Sequence, residues 1–288
     1  MKNFSTSTPL FSKNLSLNLG GRIMNLASPR IMGIINATPD SFYHGSRASN
    51  PELAVEKARE MIDQGADILD FGAVSSRPGA EEISEQEELE RLSPVLEALR
   101  NSFPDFPVSV DTWRSGVARS VKERFGIHMI NDISAGNFDP AMYSTMAQLG
   151  IPYIMMHMQG TPATMQEEPA YNNIVDELLQ FFAEKVYKLR MLGLNDIIID
   201  PGFGFGKTLE QNYMLLREFD SFQMLELPLM AGISRKSMIY KLLESEPDLA
   251  LNGTTAAHMA ALLKGANLLR VHDVAAAKET VTIFQQIY

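Results

Sequence analysis

Short apolar runs recur along the chain, and many end in a polar residue able to do chemistry. Ile31-Met32-Gly33-Ile34-Ile35 ends at Asn36, Ile68-Leu69 at Asp70, and Val108-Ser109-Val110 at Asp111. His128-Met129-Ile130 runs into Asn131-Asp132, Tyr153 to Met156 into His157, and Ile197-Ile198-Ile199 into Asp200. Leu229 to Ile233 precedes Ser234-Arg235-Lys236, and Leu268-Leu269 precedes Arg270-Val271-His272. Runs without polar alternation suit strands buried on both faces, as in a parallel sheet. If they are strands of one such sheet, their terminal groups gather at one end, where the loops of a barrel place an active site.

Helical periodicity fills the gaps. Pro51 opens a segment with apolar Leu53, Val55, Ala58 and Ile62, and Gly65 stops it. Ser84 and Glu87 form a capping box before Leu89, Leu92, Val95, Leu96 and Leu99. Asp139-Pro140 starts a helix that ends at Gly150, and 173–192 carries an apolar stripe. Further helices are predicted over 208–219, 236–244, 253–264 and 274–287. Before the first run, 14–27 alternates weakly about Gly20-Gly21 and reads as a hairpin. The expected fold is α/β, a (β/α)8 TIM barrel over 28–288, preceded by a tail and β-hairpin over 1–27. An open Rossmann-type sheet is the runner-up.

Composition narrows the chemistry. At 288 residues the chain can bury a large core. It has no cysteine, which excludes disulfides, thiolate metal sites and cysteine nucleophiles and fits a cytoplasmic enzyme. The net charge of -10 argues against nucleic acid as a partner, and no apolar stretch is long enough for a membrane span. The five histidines fit no zinc spacing, so any metal would be a hard cation such as Mg2+ on oxygen ligands. His128 reads as a core or satisfied polar residue, His44 as a loop residue, His258 as a helix-surface residue, and His157, though at a strand end, as a support for its neighbours. Trp113 is expected to pack at the barrel rim.

Several loops stand out. Asn36 to Phe42 leaves a strand, turns at Pro39 and enters a polar segment before the next helix. Ser75-Ser76-Arg77-Pro78-Gly79 offers hydroxyls and a guanidinium suited to a phosphate or carboxylate. Asp200 to Thr208 is glycine-rich but no Walker A loop, since Pro201 stands where the first glycine belongs. Its glycines would let backbone approach a flat ligand, with Phe203 or Phe205 as an apolar wall. Ser234-Arg235-Lys236-Ser237 puts cations at a helix N-terminus, against the dipole, as if an anionic or electron-rich ligand bound there. Arg270 and His272 alternate onto one face beside another helix N-terminus, an anion site of pyrophosphate size.

Taken in order, these motifs resemble the dihydropteroate synthases of the pterin-binding barrel family, from about residue 30 to the C-terminus. Ser109 to Thr112, Ile130 to Ile133 and Met156-His157-Met158 join the loops above in that resemblance. It implies a transferase of folate biosynthesis that joins 4-aminobenzoate to 6-hydroxymethyl-7,8-dihydropterin diphosphate and releases pyrophosphate. Asp200 and Asn131 would bind the amino-pyrimidine edge of the pterin, Asp111 the ring, and Lys236 the region of O4 and N5. Arg270, His272 and Asn36 would surround the diphosphate, with Asn36 reaching Mg2+ and Arg77 closing over it. Ser76, Pro78, Phe42, Phe205, Lys236 and Ser237 would form the aminobenzoate side, and the family is a sulfonamide target. Asp111, Lys236, Arg270 and His272 would carry the catalysis. A homodimer through C-terminal helices is also implied. A corrinoid-type pterin methyltransferase and a non-catalytic pterin-binding barrel are the alternatives; the Arg270-x-His272 pair and Ser76-Arg77-Pro78 favour the synthase.

Overall fold

The computed structural model describes residues 15–36, 51–73, 83–162, 164–165 and 169–288. An antiparallel hairpin, β1 (Ser16–Leu19) and β2 (Arg22–Asn25), comes first. Eight parallel strands follow: β3 (Arg30–Asn36), β4 (Ile68–Gly72), β5 (Val108–Asp111), β6 (Met129–Asp132), β7 (Tyr153–Met156), β8 (Ile197–Asp200), β9 (Met230–Ala231) and β10 (Leu268–Val271). Their spatial order is β8-β7-β6-β5-β4-β3-β10-β9, and a parallel bridge between Ile199 and Leu229 closes β8 onto β9. The expected (β/α)8 barrel with an N-terminal hairpin is therefore the fold, and the open sheet is excluded.

The helices on the outside are α1 (Pro51–Asp63), α2 (Glu85–Ser102), α3 (Ser115–Phe125), α4 (Met142–Leu149), α5 (Ile174–Met191), α6 (Leu209–Arg217), α7 (Ser237–Leu242), α8 (Leu251–Leu263) and α9 (Val274–Ile287). Local signals explain most boundaries. Ser84 Oγ accepts the Glu87 amide at 3.2 Å, and Asn173 caps α5 in the same way. Glu87's carboxylate turns to Arg91 at 2.7 Å, so only half of the expected capping box forms. Gly150 ends α4 in the left-handed conformation at φ 59°. Helix α3 had no forecast: its N-cap, Arg114, makes no side-chain capping bond, so the sequence lacks a start signal.

Alternation along the strands sorts the barrel interior into layers. At the N-terminal end Met32, Ile68, Met129, Ile154, Ile198, Met230 and Leu268 form one buried cluster with Leu17, Leu19 and Leu26. The hairpin thus plugs the bottom with leucine. The outward faces of the strands pack against the helices in a second, larger apolar shell. Two residues further along β4, β6, β8 and β10 the inward positions turn polar, at Asp70, Asn131, Asp200 and Arg270, and the site begins there.

Candidate active site

Asp70, Asn131 and Arg270 follow Ile68, Met129 and Leu268 on the same inward faces, and register brings Asp111 beside Asn131. Two of these groups converge on one carboxylate oxygen. Asp70 Oδ2 accepts the Arg270 Nε–H at 2.7 Å and the Asn131 Nδ2–H at 3.0 Å. Arg270 Nη2 donates to Asp111 Oδ2 at 2.9 Å. Asp70 is fully buried, and its Oδ1 meets no hydrogen-bond partner among the described residues. Burial raises the Asp111 pKa to about 7; Arg270 opposes the rise, while Asp70, Glu88 and Asp132 add to it. Burial alone would lower the Arg270 pKa, but Asp70 and Asp111 reverse that and raise it. The guanidinium stays charged and is held in one orientation by two carboxylates.

Across the mouth, Asp200 at the end of β8 is buried, which raises its pKa against the pull of Lys236. Its Oδ1 accepts the Gly202 amide at 2.8 Å. Lys236 Nζ donates to the Phe203 carbonyl and lies 4.5 Å from the centre of the Phe205 ring. Burial lowers its pKa to about 8, opposed by Asp200. A methyl group at Gly232 would meet Asp200 Oδ2 at 3.5 Å and Lys236 Nζ at 3.8 Å, so both groups crowd the same short strand end.

At the end of β10, His272 Nδ1 contacts Ser234 Oγ at 3.1 Å, and the same hydroxyl accepts the His272 amide at 3.2 Å. The ring lies at the exposed rim, where crowding by the chain and the neighbouring Arg270 lower its pKa to about 4. Asn36 ends β3 at the surface, opposite the side-chain-free Gly72. The rim between β6 and β8 is apolar: Ile133, Met156, Met158 and Met165 pack with Trp113, Phe138 and Phe205. One mouth therefore carries carboxylates and an amide in its floor, cations along one wall and an apolar opposite wall.

The sequence profile of the pterin binding enzymes matches residues 32–272. Dihydropteroate synthase of Escherichia coli (strain K12) is 43% identical over 263 residues, covering 91% of this chain and 91% of that protein. The chain belongs to this family. Its activity is that of the dihydropteroate synthases, a transferase reaction of folate biosynthesis. Among solved structures, Yersinia pestis dihydropteroate synthase with a sulfonamide drug aligns with a TM-score of 0.89 at 40% identity, over 95% of this chain and 99% of that one. Xanthomonas albilineans dihydropteroate synthase with 4-aminobenzoic acid aligns at 0.88 and 39%, over 96% and 98%.

Within this pterin-binding barrel, Asn36, Asp111, Asn131, Asp200, Phe205, Lys236, Ser237, Arg270 and His272 all sit at the C-terminal mouth or open the helix that follows it. Phe42, Ser76, Arg77 and Pro78 lie outside the described residues. Several expectations need correction. Phe203 is no ligand wall: it is fully buried and stacked on Phe219 with centroids 5.9 Å apart. The loop glycines serve backbone packing. A Cβ on Gly202 would meet the His157 carbonyl oxygen at 2.0 Å, and its φ of +74° favours glycine as well. Arg235 faces away from the mouth in a bidentate pair with Asp273 at 2.7 and 2.8 Å. That carboxylate, with no need of a ligand, offsets the arginine at the helix start. His258 is buried in α8, not on its surface, and its two ring nitrogens meet no hydrogen-bond partner among the described residues.

Asp70 is the residue whose role sequence reasoning missed. It ends an apolar run as the others do, but only the three-dimensional register shows that it joins Arg270 to Asn131. His157, just past the end of β7, is buried. Burial and Lys207 drop its pKa to about 2, so the ring is neutral, and it packs edge-on against Phe181 with centroids 4.8 Å apart.

Proposed function

We propose that this mouth joins 6-hydroxymethyl-7,8-dihydropterin diphosphate to 4-aminobenzoate, and that its polar floor and its cationic wall read the two halves of the first substrate. The observation that carries the reading is Arg270, held between Asp70 and Asp111, which sets a fixed cation beside a floor of pterin-type hydrogen-bonding groups. Asp200 and Asn131 meet the amino-pyrimidine edge, where a carboxylate can accept two adjacent N–H donors. Lys236 donates toward the pterin carbonyl and ring nitrogen. Arg270 and His272 receive the diphosphate. Phe205 and Ser237, with Phe42, Ser76 and Pro78, take the aminobenzoate, and Arg77 closes over the diphosphate.

The bond that breaks is the C–O bond at the methylene carbon. Its electron pair leaves on the diphosphate oxygen, and the electron-rich ring spreads the positive charge left behind. The Asp111 carboxylate stabilises that charge from the floor. The lone pair of the aromatic amine then forms the C–N bond, and the amine loses a proton. No protein nucleophile is required. Arg270 and His272 act by stabilising the departing anion, and enclosure of the mouth excludes water from the cation.

Mg2+ fits this site as a companion of the substrate. Asn36 presents an amide oxygen at the exposed end of β3, and a hard cation already bound by diphosphate oxygens and water needs little more. Among the described residues, no group of three His, Asp or Glu is arranged to hold an ion by itself. When bound, the ion would neutralise charge on the leaving pyrophosphate.

A homodimer, a cytoplasmic location and sulfonamide sensitivity belong to the same proposal. Helices α8 and α9 leave Leu251, Leu263, Ile283 and Ile287 exposed, apolar surface that a second copy would cover. Among the described residues no helix is long and apolar enough to cross a membrane. The Yersinia pestis relative solved with a sulfonamide drug supports binding of such drugs. The test is pyrophosphate release with Mg2+ and both substrates. Release that depends on 4-aminobenzoate supports the synthase; tight pterin binding without release would favour the binding-only reading.

A further inference from the structure

Lys207 is a buried cation that the mechanism above does not use. It closes the glycine-rich loop after β8 and is only 4% exposed. Its Nζ donates to the carbonyls of Phe205 at 2.8 Å, Gly202 at 2.9 Å and His157 at 3.2 Å, and contacts His157 Nδ1 at 3.2 Å. An ammonium has three hydrogens, so these acceptors consume it completely. It does not face the mouth and is no phosphate ligand. Instead the loop is wrapped around it, and the loop after β7 is stapled to the same point.

The outer surface of that loop touches the site at three places. The Gly202 amide donates to Asp200 Oδ1 at 2.8 Å. The Phe203 carbonyl accepts from Lys236 Nζ, and the Phe205 ring lies 4.5 Å from the same nitrogen. Gly202, Gly204 and Gly206 all have positive φ, between 61° and 82°, so the loop has little intrinsic preference for one shape. A central cation that draws the carbonyls of Gly202 and Phe205 inward supplies that preference. It thereby turns the Phe203 carbonyl, between them, toward Lys236.

We propose that Lys207 is a positioning residue for the synthase reaction: by gathering three loop carbonyls it fixes the backbone that orients Asp200 and Lys236. The inference rests on the pterin-binding reading of those two residues. Burial lowers the Lys207 pKa to about 7, against the pull of Asp200, which agrees with a group held for its hydrogen bonds at some electrostatic cost.

The experiment compares Lys207→Met and Lys207→Arg with the wild type by steady-state pyrophosphate release. Methionine keeps length without donors. Arginine keeps the charge, but its planar fork cannot converge on three carbonyls around one point. A purely structural loss lowers the fraction of folded enzyme, and so the apparent kcat, and leaves KM unchanged. Displacement of Asp200 and Lys236 instead raises the KM for the pterin diphosphate. We expect a rise of roughly tenfold or more in both variants, with the fluorescence response of Trp113, the sole tryptophan, shifted to higher pterin concentration by the same factor. If Lys207→Met does not fold, Lys207→Arg decides. An unchanged KM in every folded variant overturns the proposal. A wild type that releases no pyrophosphate would instead remove the functional reading, and the Trp113 titration with pterin would still test the positioning role.

Discussion

Replacing Asp70 by Asn tests the site's internal wiring without touching a group that faces substrate edges. The carboxylate accepts the Arg270 Nε–H at 2.7 Å and the Asn131 Nδ2–H at 3.0 Å through the same oxygen. An asparagine offers one acceptor oxygen and sets an NH2 group among donors. Removing one partner of a buried ion pair costs about 3–5 kcal/mol, because the other charge stays buried. Arg270 keeps Asp111 at 2.9 Å, which points to the low end. Relief of Asp70–Asp111 repulsion offsets part of the loss, but Asp70 ranks behind both burial and Arg270 in setting the Asp111 pKa. The net expectation is about 3 kcal/mol. For a chain of this size that is a fall of roughly 6–12 °C in Tm. If about the same energy is lost from the placement of Arg270 in the transition state, kcat/KM falls by roughly two decades. Calorimetric melting and pyrophosphate release measure the two. A variant that melts with the wild type and turns over at the wild-type rate would refute the role assigned to Asp70.

Other outcomes follow from the same geometry. Arg270→Ala should lower turnover far more than pterin affinity, measured by steady-state kinetics and titration with the bare pterin; equal losses would contradict an anion-site role. Asp111 has a pKa in the folded chain above its ordinary 3.8, so the folded state holds the extra proton, and the residue's contribution to stability falls as pH rises from 3.8 to about 7. Urea unfolding should therefore show the wild type losing stability relative to Asp111→Asn across that window, and a flat difference would count against the buried assignment. The acid limb of kcat/KM should lie near pH 7 if ionised Asp111 faces the developing cation; a limb near 4 would remove it from that role. Sedimentation should find a dimer, which charged substitutions at Leu263 and Ile287 weaken, and a monomer at micromolar concentration would refute the C-terminal interface.

The barrel was legible because each strand is buried on both sides and so appears as an apolar run with a polar end. The hairpin was legible from Gly20-Gly21. Helix α3 was not, because Arg114 gives no capping bond to mark its start, although Val117, Val121 and Phe125 keep helical spacing. For site residues, position at a strand end nominated Asp70, Asp111, Asn131 and Asp200 alike. What separates them is which inward neighbour each meets, a property of register and closure that no local window contains. The same limit explains Arg235 and Lys236. Adjacent in sequence, they part at the start of α7, Arg235 at a left-handed φ of 53° toward Asp273 and Lys236 toward the Phe203 carbonyl. Phe203 and Phe205 part likewise, one into the core and one onto the rim. His258 looked like a surface residue because α8 is apolar on nearly every side and gives no hint of which face is buried.

The most direct measurement is calorimetric titration of two ligands, the bare dihydropterin and its diphosphate, into the wild type, Asp200→Ala and Arg270→Ala. If the floor reads the pterin and the cationic wall the diphosphate, Asp200→Ala loses both ligands. Arg270→Ala would then bind the bare pterin nearly as the wild type does and lose only the added affinity of the diphosphate. Retained pterin binding in Asp200→Ala, or equal loss of both ligands in Arg270→Ala, would contradict that division of the mouth.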